Sequence, residues 1–108
     1  MPDDETGAAL RRIAATGSDL SRPMQVDFFV AVPSEPVGRE MARRVSPLGF
    51  EVSVEQDSIT GAWTCYCTKT IVPAYSVVVD IEQRLDSIAR ELGGHADGFG
   101  SFGNAPQH

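Results

Sequence analysis

Two cysteines and a histidine are the residues of this sequence that could bind a metal ion. Cys65 and Cys67 are separated by one residue, and His95 lies on another predicted strand. A structural zinc site needs four ligands, and its cysteine pairs are spaced more widely. Residues two apart on a strand share a face at about 6.6 Å, which would strain a disulfide. We therefore predict two reduced, buried thiols, with no metal and no cofactor.

Groups suited to acid–base or nucleophilic catalysis are few. The sequence contains two histidines, of which one is the last residue, and no Ser, His and Asp arrangement that indicates a catalytic triad. No pair of carboxylates is marked out by its spacing. We expect a protein that is not an enzyme.

A glycine-rich segment near the C-terminus, Asp97-Gly98-Phe99-Gly100, has two interpretations. In the functional one, the glycines let another backbone approach, Phe99 anchors a contact, and Asp97 caps or pairs. In the structural one, the glycines form a bulge, Phe99 packs on the sheet, and Asp97 accepts a hydrogen bond from a nearby backbone N–H. The spacing is not that of a dinucleotide-binding loop, and no helix follows to hold a phosphate.

Aromatic residues of the predicted sheet form a second candidate feature. Trp63 and Tyr66 lie on opposite faces of their strand, so one of them points away from the helices, and Phe29 interrupts the alternation of an earlier strand. These rings either cover the open side of the sheet or form an exposed patch for a partner. The candidate partner surface comprises Phe29, Tyr66, Asp97, Gly98, Phe99 and Gly100.

The charge balance bears on the class of partner. The 108-residue chain has a net charge of -6 and a single lysine, Lys69. This argues against direct nucleic-acid binding, which requires a clustered basic face, and it favours a basic protein partner. No apolar run is long enough to cross a membrane, and the acidic start of the chain does not resemble a secretory signal, so we expect a cytoplasmic protein.

Hydrophobic periodicity and turn residues give the order of elements. We predict a helix over 5–16, a strand over 24–32, a helix from a Ser34 cap to about 46, strands over 50–55 and 62–70, a helix opened by Pro73, and a strand over 95–102. After the first helix the order is β-α-β-β-α-β, which predicts an α+β ferredoxin-like sandwich with a four-stranded antiparallel sheet and two helices on one face. Residues 1–16 are predicted as a helical extension, 17–104 as the domain and 105–108 as a disordered tail.

Several segments resemble the family of the regulator of ribonuclease E activity B, the RraB family. They are Val26-Asp27-Phe28-Phe29, Leu48-Gly49-Phe50-Glu51-Val52, Val72-Pro73, and Gly93-Gly94 followed by Asp97-Gly98-Phe99-Gly100. Phe99 stands where this family usually has Trp. The resemblance implies a ferredoxin-like fold and a non-catalytic role in which members bind and inhibit ribonuclease E and remodel the RNA degradosome.

Three hypotheses about function follow. The first is a regulatory domain that binds a protein, ribonuclease E or its degradosome by resemblance, through its acidic rim or its open sheet face. The second is a small-molecule sensor or enzyme, which would need a concave apolar pocket that holds Tyr66 and a polar group. The third is a dimerisation module, so the expected state is a monomer or a weak homodimer.

Overall fold

The computed structural model describes residues 4–104, which contain three α-helices, one 3-10 turn and four strands. In chain order these are α1 (Glu5–Ala15), β1 (Met24–Val32), α2 (Glu35–Val45), a turn over Ser46–Leu48, β2 (Glu51–Gln56), β3 (Trp63–Ile71), α3 (Tyr75–Glu91) and β4 (His95–Gly100). The predicted elements occur in the predicted order. β4 ends two residues earlier than expected, and the predicted tail over 105–108 lies outside the described residues.

The four strands form one antiparallel sheet in the order β2-β3-β1-β4. β2 and β3 form a hairpin, whereas β1 pairs with β3 on one side and with β4 on the other. α2 packs on β2 and β3, and α3 packs on β4 and β1. The α+β ferredoxin-like fold predicted from the sequence is confirmed.

The strict alternation of β1 decides which face of the sheet is buried. Val26, Phe28 and Val30 are at most 1% exposed, whereas the residues between them are half-buried. α2 begins where the Ser34 hydroxyl accepts a hydrogen bond from the Val37 N–H at 3.5 Å. Gly38 lets this helix approach the sheet, because a Cβ at that position would lie 2.6 Å from Val54 Cγ1.

The N-terminal helix α1 contributes to the hydrophobic core. Leu10 is fully buried, and the Asp4 side chain accepts a hydrogen bond from the Gly7 N–H at the start of the helix. The Thr6 hydroxyl donates to Glu82 Oε1 of α3 at 2.8 Å. The Tyr75 hydroxyl, at the start of α3, donates to the Asp4 carboxylate. The first turn of α1 is thus held against α3.

The two cysteines lie on the helix-facing side of β3. Cys65 and Cys67 are fully buried free thiols. Burial raises the pKa of Cys65 to about 11 and that of Cys67 to about 12. Within residues 4–104, no group of three or more His, Cys, Asp or Glu residues is arranged to hold a metal ion. No helix in the same range is long and apolar enough to cross a membrane.

The segment after β4 is held against the loop that joins α1 to β1. The Asn104 amide group donates from Nδ2 to the Asp19 carbonyl oxygen at 2.9 Å and accepts the Asp19 N–H at 2.8 Å. The Asn104 N–H also donates to Ser18 Oγ at 3.2 Å. These bonds join residues more than 80 positions apart and fix the path of the chain beyond Gly100.

Candidate functional site

The side of the sheet opposite α2 and α3, which we name the open face, is not covered by any of the described helices. Because side chains alternate between the two sides of a strand, the register of the sheet shows which of them lie on the open face. They include Gln25, Asp27, Phe29 and Ala31 of β1, Glu51, Ser53 and Glu55 of β2, and Thr64, Tyr66, Thr68 and Thr70 of β3.

An aromatic pair lies at the centre of the open face. Phe29 and Tyr66 are direct partners in the β1–β3 ladder, and their ring centroids are 5.6 Å apart at an interplanar angle of 79°. This edge-to-face geometry is favourable for aromatic rings. A Cβ at Gly100 would lie 3.2 Å from Phe29 Cζ, so the glycine leaves room for the ring. Three residues of the candidate partner surface, Phe29, Tyr66 and Gly100, therefore lie close together.

The glycine-rich segment forms a bulge in β4. The β1–β4 register shifts between Phe28 and Val30, so that Asp97 and Gly98 together face Phe29. Gly98 has a φ of +96°, and a Cβ there would meet no atom within 4 Å. The backbone conformation, rather than the available space, requires glycine at this position.

The bulge separates the candidate residues onto different surfaces. Phe99 lies on the helix-facing side, where its ring centroid is 5.9 Å from that of Phe28. It does not share a face with Phe29 and Tyr66. Asp97 is exposed, and its carboxylate makes no hydrogen bond to another residue of the described range. Asp97 and Gly98 thus lie at the edge of the sheet.

The open face is acidic as well as aromatic. Asp27 Oδ1 accepts a hydrogen bond from the Thr68 hydroxyl at 2.5 Å, while Glu51 and Glu55 are exposed on the neighbouring strand. Lys69, the only lysine or arginine in the four strands, is turned to the other side. Its Nζ donates to the Leu48 carbonyl oxygen at 3.0 Å and lies 5.1 Å from the Phe50 ring centroid. No cation of the strands therefore neutralises these carboxylates.

Asp86 of α3 contacts the edge strand β4, and the sequence did not predict this contact. Its Oδ1 accepts the Ala96 N–H at 2.9 Å, and its Oδ2 accepts Arg90 Nε at 2.6 Å. The hydrogen bond from Arg90, followed by that from Ala96, lowers the pKa of the Asp86 carboxyl. The four-residue spacing to Arg90 is visible in the sequence, but the contact with Ala96 depends on how α3 packs beside β4.

The chain as a whole matches one protein family. The family model is described as RraB, regulator of ribonuclease activity B, and it matches residues 3–101 of the 108-residue chain. No curated protein was found to match the chain. The matched range includes every helix and strand described above. The resemblance identified from the residues is therefore confirmed, and this chain belongs to the RraB family of regulators of ribonuclease activity.

Proposed function

We propose that this chain regulates a ribonuclease by binding one of its basic segments on the open face, without catalysing a reaction itself. The observation that carries the proposal is the Phe29–Tyr66 pair among carboxylates on a sheet face that no described helix covers. Ribonuclease E, or another component of its degradosome, is the partner suggested by the family resemblance. The protein would act in the cytoplasm as a monomer or weak homodimer, and it would need no cofactor.

Arginine is the side chain that best fits this combination of groups. Its planar guanidinium can stack on an aromatic ring and pair with a carboxylate at the same time. A cation over an aromatic ring contributes roughly 0.5–2 kcal/mol, depending on how far it is desolvated. Asp27 lies on the same strand as Phe29, two residues before it, so both groups are within reach of one bound segment. The net charge of -6 would also speed the approach of a basic partner.

Calorimetric titration with the non-catalytic scaffold region of ribonuclease E tests this proposal. We expect binding at low salt that weakens as salt is added, because the attraction between charges is screened. Tyr66→Ala and Phe29→Ala should each weaken binding by at least about tenfold, as expected for aromatic anchors. Ile59→Ala is the matched control, since Ile59 is an apolar side chain that is 93% exposed at the hairpin turn.

Two results would count against this function. Absence of binding at tens of micromolar and low salt would remove the ribonuclease E partner. Equal affinity of Tyr66→Ala and the original chain would remove the open face as the binding surface, even if the partner is right.

A face-to-face homodimer is the competing use of the open face, and its charge opposes it. Two copies would bring Asp27, Glu51 and Glu55 of each chain against the same carboxylates of the other, which is destabilising. Light scattering at high protein concentration should give the mass of one chain. A stable dimer that Tyr66→Ala dissociates would favour the dimerisation hypothesis.

A further inference from the structure

A groove of about 520 Å³ lies between α1 and the outer side of β4. Its α1 wall includes Thr6, Ala8, Ala9 and Arg12, and its β4 wall runs from Ala96 to Phe99. An adjoining groove shares Ala9, Arg12 and Phe99 and continues along the chain to Phe102. Neither Phe29 nor Tyr66 lines these grooves, so they form a surface separate from the open face.

β4 is the last strand of the sheet on this side, and the ladder fixes which of its backbone groups point outward. The Ser101 hydroxyl donates to the Gln25 carbonyl oxygen, and the Ala96 N–H turns away from β1 towards Asp86. The alternation of an antiparallel pair then points the backbone groups of Phe99 outward as well. The Asp86 carboxylate accepts a hydrogen bond from the Ala96 N–H. No side chain of the described residues is hydrogen-bonded to the backbone of Phe99.

An unpaired strand edge beside a groove is the geometry that proteins use to bind extended segments. The added strand gains main-chain hydrogen bonds, and its alternate side chains enter the neighbouring groove. Here the small side chains of Ala8 and Ala9 leave space for them. Phe102, which is 92% exposed at the far end, offers an apolar contact.

The charges around the groove indicate the chemistry of the segment. Glu5, Glu82 and Asp97 line it, and Arg12 is the one cationic residue that does so. Carboxylates therefore outnumber cations three to one at this surface. A segment that carries lysine or arginine is electrostatically complementary, whereas an acidic segment would be repelled.

We propose that an extended, basic segment of a partner protein binds in this groove as a fifth strand beside β4. The inference rests on the proposed protein-binding function but uses a different surface, so it can fail while the open face is retained. A second copy of this chain fits less well, because pairing two β4 edges would place Asp97 of one chain close to carboxylates of the other.

A seven-residue, capped peptide of alternating arginine and valine is a suitable probe for NMR titration. We expect it to slow hydrogen exchange at the Phe99 amide by at least about tenfold, because that N–H becomes hydrogen-bonded. N-methylation of alternate peptide amides separates strand addition from simple charge attraction, since only every second amide faces β4. One methylated series should bind at least about tenfold more weakly, and the other should bind like the parent peptide.

Paired variants of the protein provide the second measurement. Ala9→Trp fills the groove, whereas Ala14→Trp places the same ring on the exposed side of α1. Asp97→Lys reverses a charge in the groove, and Asp80→Lys makes the same change on the exposed surface of α3. We expect weaker peptide binding for the first member of each pair only. If the circular dichroism spectrum shows that Ala9→Trp is unfolded, the comparison of Asp97→Lys with Asp80→Lys tests whether the peptide binds in the groove.

Three results would overturn this inference. They are unchanged exchange at Phe99, equal binding by both methylated series, and peptide-induced shifts confined to Phe29 and Tyr66. Because Tyr66→Ala leaves the groove intact, this variant should still bind the peptide, although it should no longer bind the ribonuclease segment. Loss of both ligands in that variant would also contradict a separate second surface.

Discussion

Replacing the two rings of the open face, singly and together, tests whether they form a contact in the free protein. Phe29→Ala and Tyr66→Ala each remove one member of the pair, and the double variant completes a thermodynamic cycle. The cycle reports the interaction between the rings rather than the total cost of either truncation.

The structure sets the size of both effects. Each ring is half-buried, so truncation should cost about half of the 1.5–3 kcal/mol that full burial of a large apolar side chain contributes, plus the lost ring contact. The centroid distance of 5.6 Å and the angle of 79° are those of an edge-to-face pair, which contributes roughly 0.5–1.5 kcal/mol beyond burial. We therefore expect each single variant to lose about 1.3–3 kcal/mol of unfolding free energy, with a coupling of about 1 kcal/mol.

Urea unfolding followed by tryptophan fluorescence is the assay. The sequence has a single tryptophan, Trp63, which lies on the helix-facing side of β3 and so does not touch the substituted rings. A coupling indistinguishable from zero would refute the ring contact. A loss above about 4 kcal/mol for either single variant would mean that the open face is a fully buried core, against the partial exposure of both rings in the structure.

Three further predictions concern the backbone, a carboxylate and the thiols. Gly94→Ala should destabilise the protein by about 3 kcal/mol or more in urea unfolding, because its Cβ would lie 2.3 Å from the Ala31 carbonyl oxygen; a loss below about 1 kcal/mol would contradict that close approach. Hydrogen bonds with Arg90 and Ala96 hold the pKa of Asp86 below 3.8, so its contribution to stability is present above that pH and lost as the pH falls through the lower, folded-state value. Asp86→Ala should thus be less stable than the original chain at pH 7 and approach it in acid, whereas a stability difference that stays constant into acid would be inconsistent with this linkage. The two buried thiols of β3 should not react with Ellman's reagent at pH 8 until urea unfolds the chain, and rapid reaction of the native protein would show that they are accessible.

The sequence predicted those features that depend on short-range alternation. The pattern of β1 predicted a strand over 24–32, as observed, and Phe29 was noticed because it interrupts that pattern. Tyr66 followed from its position relative to Trp63 on the same strand. These assignments need only the two-residue period of a strand, which the chain itself displays.

Phe99 was harder to assign because its face depends on the bulge. Counting by twos from His95, which pairs with Ala31, puts Asp97 and Phe99 on the open face. One additional residue at Gly98 reverses that count and turns Phe99 towards the core. The glycines predicted a bulge as one of two interpretations, but its position is fixed only by the pairing with β1.

Contacts between distant segments were not predictable from local patterns either. The hydrogen bonds of Asn104 with Ser18 and Asp19 link the segment after β4 to the loop between α1 and β1, and neither segment shows a motif that would reveal them. The groove beside β4 likewise requires α1, whose packing is set by Leu10 and by the contact of Thr6 with α3.

The central position of β1 also affects how the protein folds during synthesis. This strand is made first, yet both of its neighbours, β3 and β4, are made later, and β4 comes last. Until residues 95–100 leave the ribosome, one edge of β1 has no strand to pair with. The sheet can be completed only once residue 100 has emerged, and this dependence on distant pairings favours slow folding. A nascent chain halted before β4 should therefore remain a target for chaperones.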